Sequence, residues 1–521
     1  MKPLMYQKMY QKTAIAVALS LSLGFAAGMA HAEHELADAV MNQNTATIEA
    51  LLGKGADVNE AQLDDTTALH YAVYQDNLAL AKRLIAAGAD VDAVTRLGAT
   101  PLYLAAVNGN SAMIAALLAA GADPKATVLS HNETPLMFAA RSGAVDAVKV
   151  LLDAGADIEA VDDYRGATSL LFAAEENHAA VVSYLAERGA NVNVRTKTEV
   201  QQGRRGPALV SGGLTALILA SREGGIDTVK ALLNAKALVN QQSAQGHTAL
   251  LTAIQNANVD IANVLIDAGA DVSLANDRGW NPLYMAIKMR SLEKGTMPNP
   301  VVDMDAMYNL VERMVNKGAN VNARLLADTE VHNSIRSTWL DEAGGTPFLR
   351  ASLCGDLKVM KLLLAHGADP LIATSNNTTA LAALAGVGYT KGFMHDVGTV
   401  EESIEAMKML IAAGIDLNAK NSDEVAAIHG AAHKNFVQAI QLLVDSGADL
   451  TSHSNRRGQF QRTDGISGNT VLDWADGFQT GMESAIYNAE AVELVEKLLK
   501  ERGLPLERLS GTVGGRVAQQ Q

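Results

Sequence analysis

Several places in the sequence carry side chains whose types and spacing could do chemistry. His429-Gly430-Ala431-Ala432-His433 puts two imidazoles four residues apart, on one face of a helix, as zinc proteases do. The Glu that would serve as base is absent, and Gly430 stands in its place. Gly386-Val387-Gly388-Tyr389-Thr390-Lys391-Gly392 has the glycines of a phosphate loop without its spacing or its following helix cap, so it reads as a plain loop. Cys354, in Ser352-Leu353-Cys354-Gly355, has no His or acid arranged around it and reads as a small helix-end residue. His31 and His34 with Glu33 and Glu35 read as a flexible start. The sequence therefore predicts no catalytic residues, no metal and no cofactor. An enzymatic or ligand-binding site would need Arg204, Arg205, His332, Arg336, His395 and Asp396 to converge from separate segments.

Composition narrows the field further. The 521 residues are 48% hydrophobic and 19% charged, which excludes a disordered chain. A net charge of -15 argues against duplex nucleic acid as a partner, and the single Cys excludes a disulfide framework. Length alone would suggest three or four domains at about 150 residues each. Only 4% of residues are aromatic, so the core must be built from Ala, Leu and Val, which suits closely packed helices. Lys2, Lys8 and Lys12 precede an apolar run from Ala14 to Ala30, and Ala30-His31-Ala32 supplies a small-residue cleavage site. Residues 1–32 thus read as a signal peptide cleaved after Ala32, and the mature chain is expected to be periplasmic or secreted, with no membrane span.

The elements that must position any site are set by internal repetition. Gly-Ala-Asp or Gly-Ala-Asn begins at Gly55, Gly88, Gly121, Gly155, Gly189, Gly269, Gly318, Gly367 and Gly447. Alternating with it are Thr67-Ala68-Leu69-His70, Thr100-Pro101-Leu102-Tyr103, Thr134-Pro135-Leu136-Met137, Asn281-Pro282-Leu283-Tyr284 and similar runs. Thr caps a helix, Pro at the next position loses only a donor without a helical partner, and Gly ends the second helix in a left-handed conformation. Ala pairs such as Ala105-Ala106 allow close helix approach, and Leu pairs such as Leu117-Leu118, Leu151-Leu152 and Leu363-Leu364 are expected to fill the second helix's buried face.

These two alternating signatures resemble the ankyrin repeat family. The resemblance implies an all-α solenoid of about twelve helix-turn-helix units with short finger turns. The solenoid is expected to span 33–503, with a mobile tail over 504–521. Finger insertions fall at about 195–213, 325–345 and 452–468, and insertions between paired helices at about 288–303 and 387–402. The family also implies a structural, hydrogen-bonding His at the position of His429. It implies partner binding through a concave groove lined by finger tips and the ends of first helices. Mapped onto this chain, that surface comprises Arg96, Leu97, Arg141, Tyr164, Arg165, Arg222, Glu223, Arg278 and Trp280, with Gln245 and His247 on the same fingers. Arg204, Arg205, Trp339, Arg456, Arg457 and Phe460 are candidate contacts on the inserted loops.

The expectation is an exported, non-catalytic scaffold that binds another protein, as an accessory or protective partner of a periplasmic protein. The recurring arginines on an acidic chain would favour a partner with an acidic surface. The alternatives are a secreted effector directed at a host, or an enzyme or ligand-binding protein whose site is built by the insertions. Oligomeric state is not encoded in these patterns.

Overall fold

A computed structural model describes residues 35–201, 209–291, 301–327, 340–389, 396–455, 469–477 and 489–507. Among these, 24 helices form twelve antiparallel pairs. The predicted signal peptide lies outside the described residues, as does the tail from 508 onward. No helix among the described residues is long and apolar enough to cross a membrane.

Local chemistry sets each pair. The first helices Pro101–Asn108, Ala216–Glu223, Ala249–Gln255, Pro347–Leu353 and Ala380–Ala385 are capped by Thr100, Thr215, Thr248, Thr346 and Thr379. In each, the Thr hydroxyl accepts a hydrogen bond from the backbone N–H three residues on. Asn281 caps Pro282–Met289 in the same way.

The chain divides into two compact units, one of residues 1–197 with 215–237, the other of 198–214 with 238–521. In the first unit, the first helices Ala68–Tyr74, Pro101–Asn108, Pro135–Ser142, Ser169–Glu175 and Ala216–Glu223 stack each on the next. The second helices from Leu78–Ala86 to Ile226–Asn234 do the same. The second unit repeats the arrangement, with first helices from Ala249–Gln255 to Val471–Ala475 and second helices from Val259–Asp267 to Ala489–Glu501.

Fingers are tied to one another by backbone hydrogen bonds. In the first unit Arg96 N donates to Asp64 O at 2.9 Å, Leu129 N to Gly98 O at 3.1 Å, Asp163 N to His131 O at 2.8 Å and Lys197 N to Arg165 O at 2.7 Å. In the second, the ladder runs through Asp277 to Gln245, Leu326 to Arg278, Ser375 to Ala343, Ser422 to Asn376 and Asn455 to Asp423. Such close approach explains Gly98: its φ is 85°, and a Cβ there would lie 2.9 Å from Leu129 N. Two insertions begin as small antiparallel ladders, Thr198–Gln201 with Leu209–Gly212 and His453–Ser454 with Asn469–Thr470.

The core is Ala and Leu, as the low aromatic content requires. Ala105, Ala106, Ala139, Ala140, Ala173 and Ala174 are fully buried. The Leu pairs behave less uniformly than their sequence suggests. Leu117 and Leu363 are fully buried, while Leu118 and Leu364 are only half-buried, because neighbours on a helix point about 100° apart.

Candidate protein-binding faces

Each cap residue sets a register for its first helix. The residues four and seven positions after the cap fall on the same helix face, one turn apart. In the first unit they include Phe138 and Arg141 after Thr134, Phe172 and Glu175 after Thr168, and Arg222 after Thr215. The finger preceding each helix adds residues such as Leu97, His131 and Arg165.

These side chains form a built, charge-balanced cluster. Arg165 grips Glu175 with both terminal nitrogens, at 2.9 and 2.8 Å, and Arg222 reaches the same carboxylate at 3.4 Å. Arg222 also donates to Glu223 at 2.7 Å, and Arg141 donates to Glu176 at 3.3 Å. The guanidinium groups of Arg141 and Arg165 lie 5.7 and 5.3 Å from the Phe172 ring centroid. Burial pushes the Glu175 carboxyl up, but the Arg165 hydrogen bonds and the charges of Arg165, Arg222 and Arg141 outweigh it and hold the group below its usual range. Three arginines face three glutamates, so in this unit the recurring arginines are paired with neighbouring carboxylates.

The other predicted residues part company. Leu97 and Tyr164 are 60% and 62% exposed at their finger tips, and Tyr164 leans on the His131 ring at 5.2 Å. Arg96 is exposed, bonds Leu63 O and lies 4.0 Å from Asp65. In the second unit Arg278 is partly buried, and its carbonyl receives the amides of Leu326 and Ala327. Trp280, expected as a surface anchor, is corrected: only 1% of it is exposed. Its Nε1 donates to Ala327 O at 3.2 Å and its ring meets Tyr284 edge-on at 5.0 Å. The insertion foot at Leu325–Ala327 covers it, which no local pattern announces. Arg204, Arg205, Trp339, Arg456, Arg457 and Phe460 lie outside the described residues, as do His332, Arg336 and His395. Asp396, the remaining residue of that set, receives Lys434 Nζ at 2.6 Å.

The same register in the second unit reveals residues that the sequence reading missed. Four positions after Thr346 stands Arg350, completely buried, where the first unit has Phe172. Its Nη1 donates to Glu342 at 3.0 Å and its Nη2 to Ser291 Oγ at 2.7 Å. Tyr284 donates to the other Glu342 oxygen at 2.5 Å. Burial and the adjacent Glu342 push the Tyr284 hydroxyl well above its ordinary range. Beside this group Arg290 donates to Asp356 at 2.6 Å and to Met304 O at 2.5 Å. Seven positions after Asn281, Lys288 lies 4.6 Å from the Trp280 ring centroid, and burial lowers its amine to about 8. The signal was available in principle: an Arg at a register position held by Leu104, Phe138, Phe172 and Leu219 in the first unit.

Two residues first considered for chemistry, His429 and Cys354, make hydrogen bonds to the backbone. His429 Nδ1 accepts from Ala426 N at 3.1 Å, so Nε2 carries the hydrogen it donates to Ser452 O at 3.1 Å. Burial lowers this imidazole to about 4. His70 repeats the pattern between Thr67 N and Ala99 O. Cys354 is buried at the end of its helix and donates to Arg350 O at 3.1 Å. Among the described residues no three metal-ligating side chains converge.

The family model for ankyrin repeats in three copies matches residues 36–128, 125–196 and 217–295, and that for a single ankyrin repeat matches 343–375. The chain is also similar to the human ASB11 ankyrin repeat domain in its crystal structure. The identity is 26% and the TM-score 0.39, over 45% of this chain and 98% of that one. With the caps, the helix pairs and the linked fingers all in the order this repeat requires, the chain belongs to the ankyrin repeat family.

Proposed function

We propose that this protein is an exported, non-catalytic scaffold that binds another protein through the finger-and-helix face of its first unit, as an accessory or protective partner in the periplasm. The observation that carries the reading is the Arg141, Phe172, Glu175 and Arg222 cluster, locked by its own ion pairs and flanked by the exposed tips Leu97 and Tyr164. A surface already ordered before binding loses little side-chain entropy on association, and Arg and Tyr are the residue types that carry interface energy. The internal charge balance removes the reason to expect an acidic partner. Shape and apolar tips, with exchange of ion pairs, are what this face offers. Export rests on the basic leader, the apolar run from Ala14 to Ala30 and the Ala30-His31-Ala32 site.

Two measurements test the reading. Fractionation should place the protein in the periplasm with the mass of a chain beginning at Glu33; an intact leader in the cytoplasmic fraction overturns export. Capture from a periplasmic extract should lose its protein partners when Tyr164→Ala and Arg222→Glu are combined. Undiminished recovery of the same partners by this variant overturns binding through this face.

A further inference from the structure

In the second unit the equivalent face is covered by the chain itself. Leu340, 3% exposed, packs with Leu349, Leu353 and Ala383 in one buried cluster. Leu353 stands seven positions after Thr346 and Ala383 four after Thr379, face positions of two successive first helices, and Leu349, three after Thr346, packs beside them from the core. Leu340 also sits against Gly388, where a Cβ would come within 2.5 Å of the Leu340 side chain. Two residues on, Glu342 is 3% exposed between Arg350 and Tyr284. The foot of the insertion is tied back by Leu325 N to Gly345 O at 3.1 Å and Gly344 N to Leu325 O at 2.8 Å.

We propose that Leu340–Glu342 acts as an internal ligand: it fills a receptor for a partner segment carrying an apolar side chain followed two residues later by a carboxylate, and keeps that receptor shut until such a segment displaces it. The apolar socket is the surface of Leu349, Leu353 and Ala383, and the carboxylate receptor is Arg350 with Tyr284. Arg350 holds Glu342 through Nη1 alone, spends Nη2 on Ser291, and leaves its buried Nε without a hydrogen-bond partner. A guanidinium can grip a carboxylate with two parallel bonds, so the internal ligand makes fewer bonds than the receptor offers. Nε and Nη2 share one edge of the guanidinium, so an incoming carboxylate that takes that edge in place of Ser291 makes the two parallel bonds that Glu342 forgoes. Because Leu340 and Glu342 are tethered, their effective concentration at the socket is on the order of millimolar, so a competing segment is suppressed until the latch is weakened. The inference deepens the reading of this face as a protein-binding surface, but it concerns the second unit alone.

The test uses the full chain and a fluorescent peptide with the sequence of residues 338–345, followed by anisotropy. The intact protein should bind it weakly, and the Leu340→Ala/Glu342→Ala variant at least tenfold more tightly. The same peptide with its Glu replaced by Gln should lose that gain. Leu340→Ala alone keeps the Glu342–Arg350 pair and serves where far-UV circular dichroism shows the double variant unfolded; it should show a smaller gain. Equal binding to intact and variant proteins, or none to a folded variant, overturns the proposal. Arg222→Glu in the first unit should leave the peptide's affinity unchanged, so failure of the latch and failure of the first-unit face are read separately.

Discussion

Phe172 and Arg350 stand at the same place in the repeat, four residues after a capping Thr, yet their surroundings are opposite. Around Phe172 the charges lie at the edge of the face and pair with one another while still touching water. Around Arg350 the charge is inside, and its carboxylate partner arrives from an insertion. One solenoid position thus lies beneath partly exposed ion pairs in the first unit, where Phe172 is 5% exposed, and serves as an anchor for covering chain in the second. The difference lies in what the inserted segment brings, since the helix pairs beneath are built alike.

The largest expected effect follows from that burial. Arg350→Ala leaves Glu342 buried without its cation and should destabilise the second unit by about 3–5 kcal/mol in thermal or denaturant unfolding. The combination Arg350→Met, Glu342→Leu and Tyr284→Phe removes the whole polar group and should restore most of the loss; if it does not, the pairing is not what holds the foot. Next comes pH. His429 is neutral in the fold, so its contribution is complete above its ordinary 6.5, declines as pH falls below that value, and is lost as pH passes the folded value of about 4. Between pH 7.5 and 5 the second unit should lose about 2 kcal/mol through this residue, and His429→Gln should flatten that part of the profile. The smallest effect belongs to the first unit's face. Arg222→Ala removes a partly exposed ion pair and should cost no more than about 1 kcal/mol in unfolding, while weakening partner binding. A loss as large as that from Arg350→Ala would dissolve the distinction between the two faces.

The repeat itself was legible because its signals are local. Thr100 caps its helix through a bond to Tyr103 N, Pro101 follows, and the Gly of each turn takes a positive φ; each of these needs only a few neighbouring residues. The first-unit residues Arg141, Arg165 and Arg222 were likewise found by register. Their charge state as a group was not, because Arg141 meets Glu176 and Arg222 meets Glu175 only through stacking of successive repeats, and Arg165 reaches Glu175 from the finger ten residues before it. Trp280 was misplaced for a related reason. Its finger position is exposed by pattern, but Leu325–Ala327, more than forty residues on, close over it.

The amino-acid sequence by itself determined the helix pairs, their caps, the finger turns and the order of stacking, since each follows from contacts within one repeat or between adjacent repeats of the same pattern. Only the tertiary structure decided which faces stay accessible. Insertions have no period, and where their ends land is set by the particular complementarity of Leu340 with Leu353 and Ala383, and of Glu342 with Arg350 and Tyr284. Burial of a charge is favourable only when its partner is delivered to it, and that delivery is a property of the folded chain.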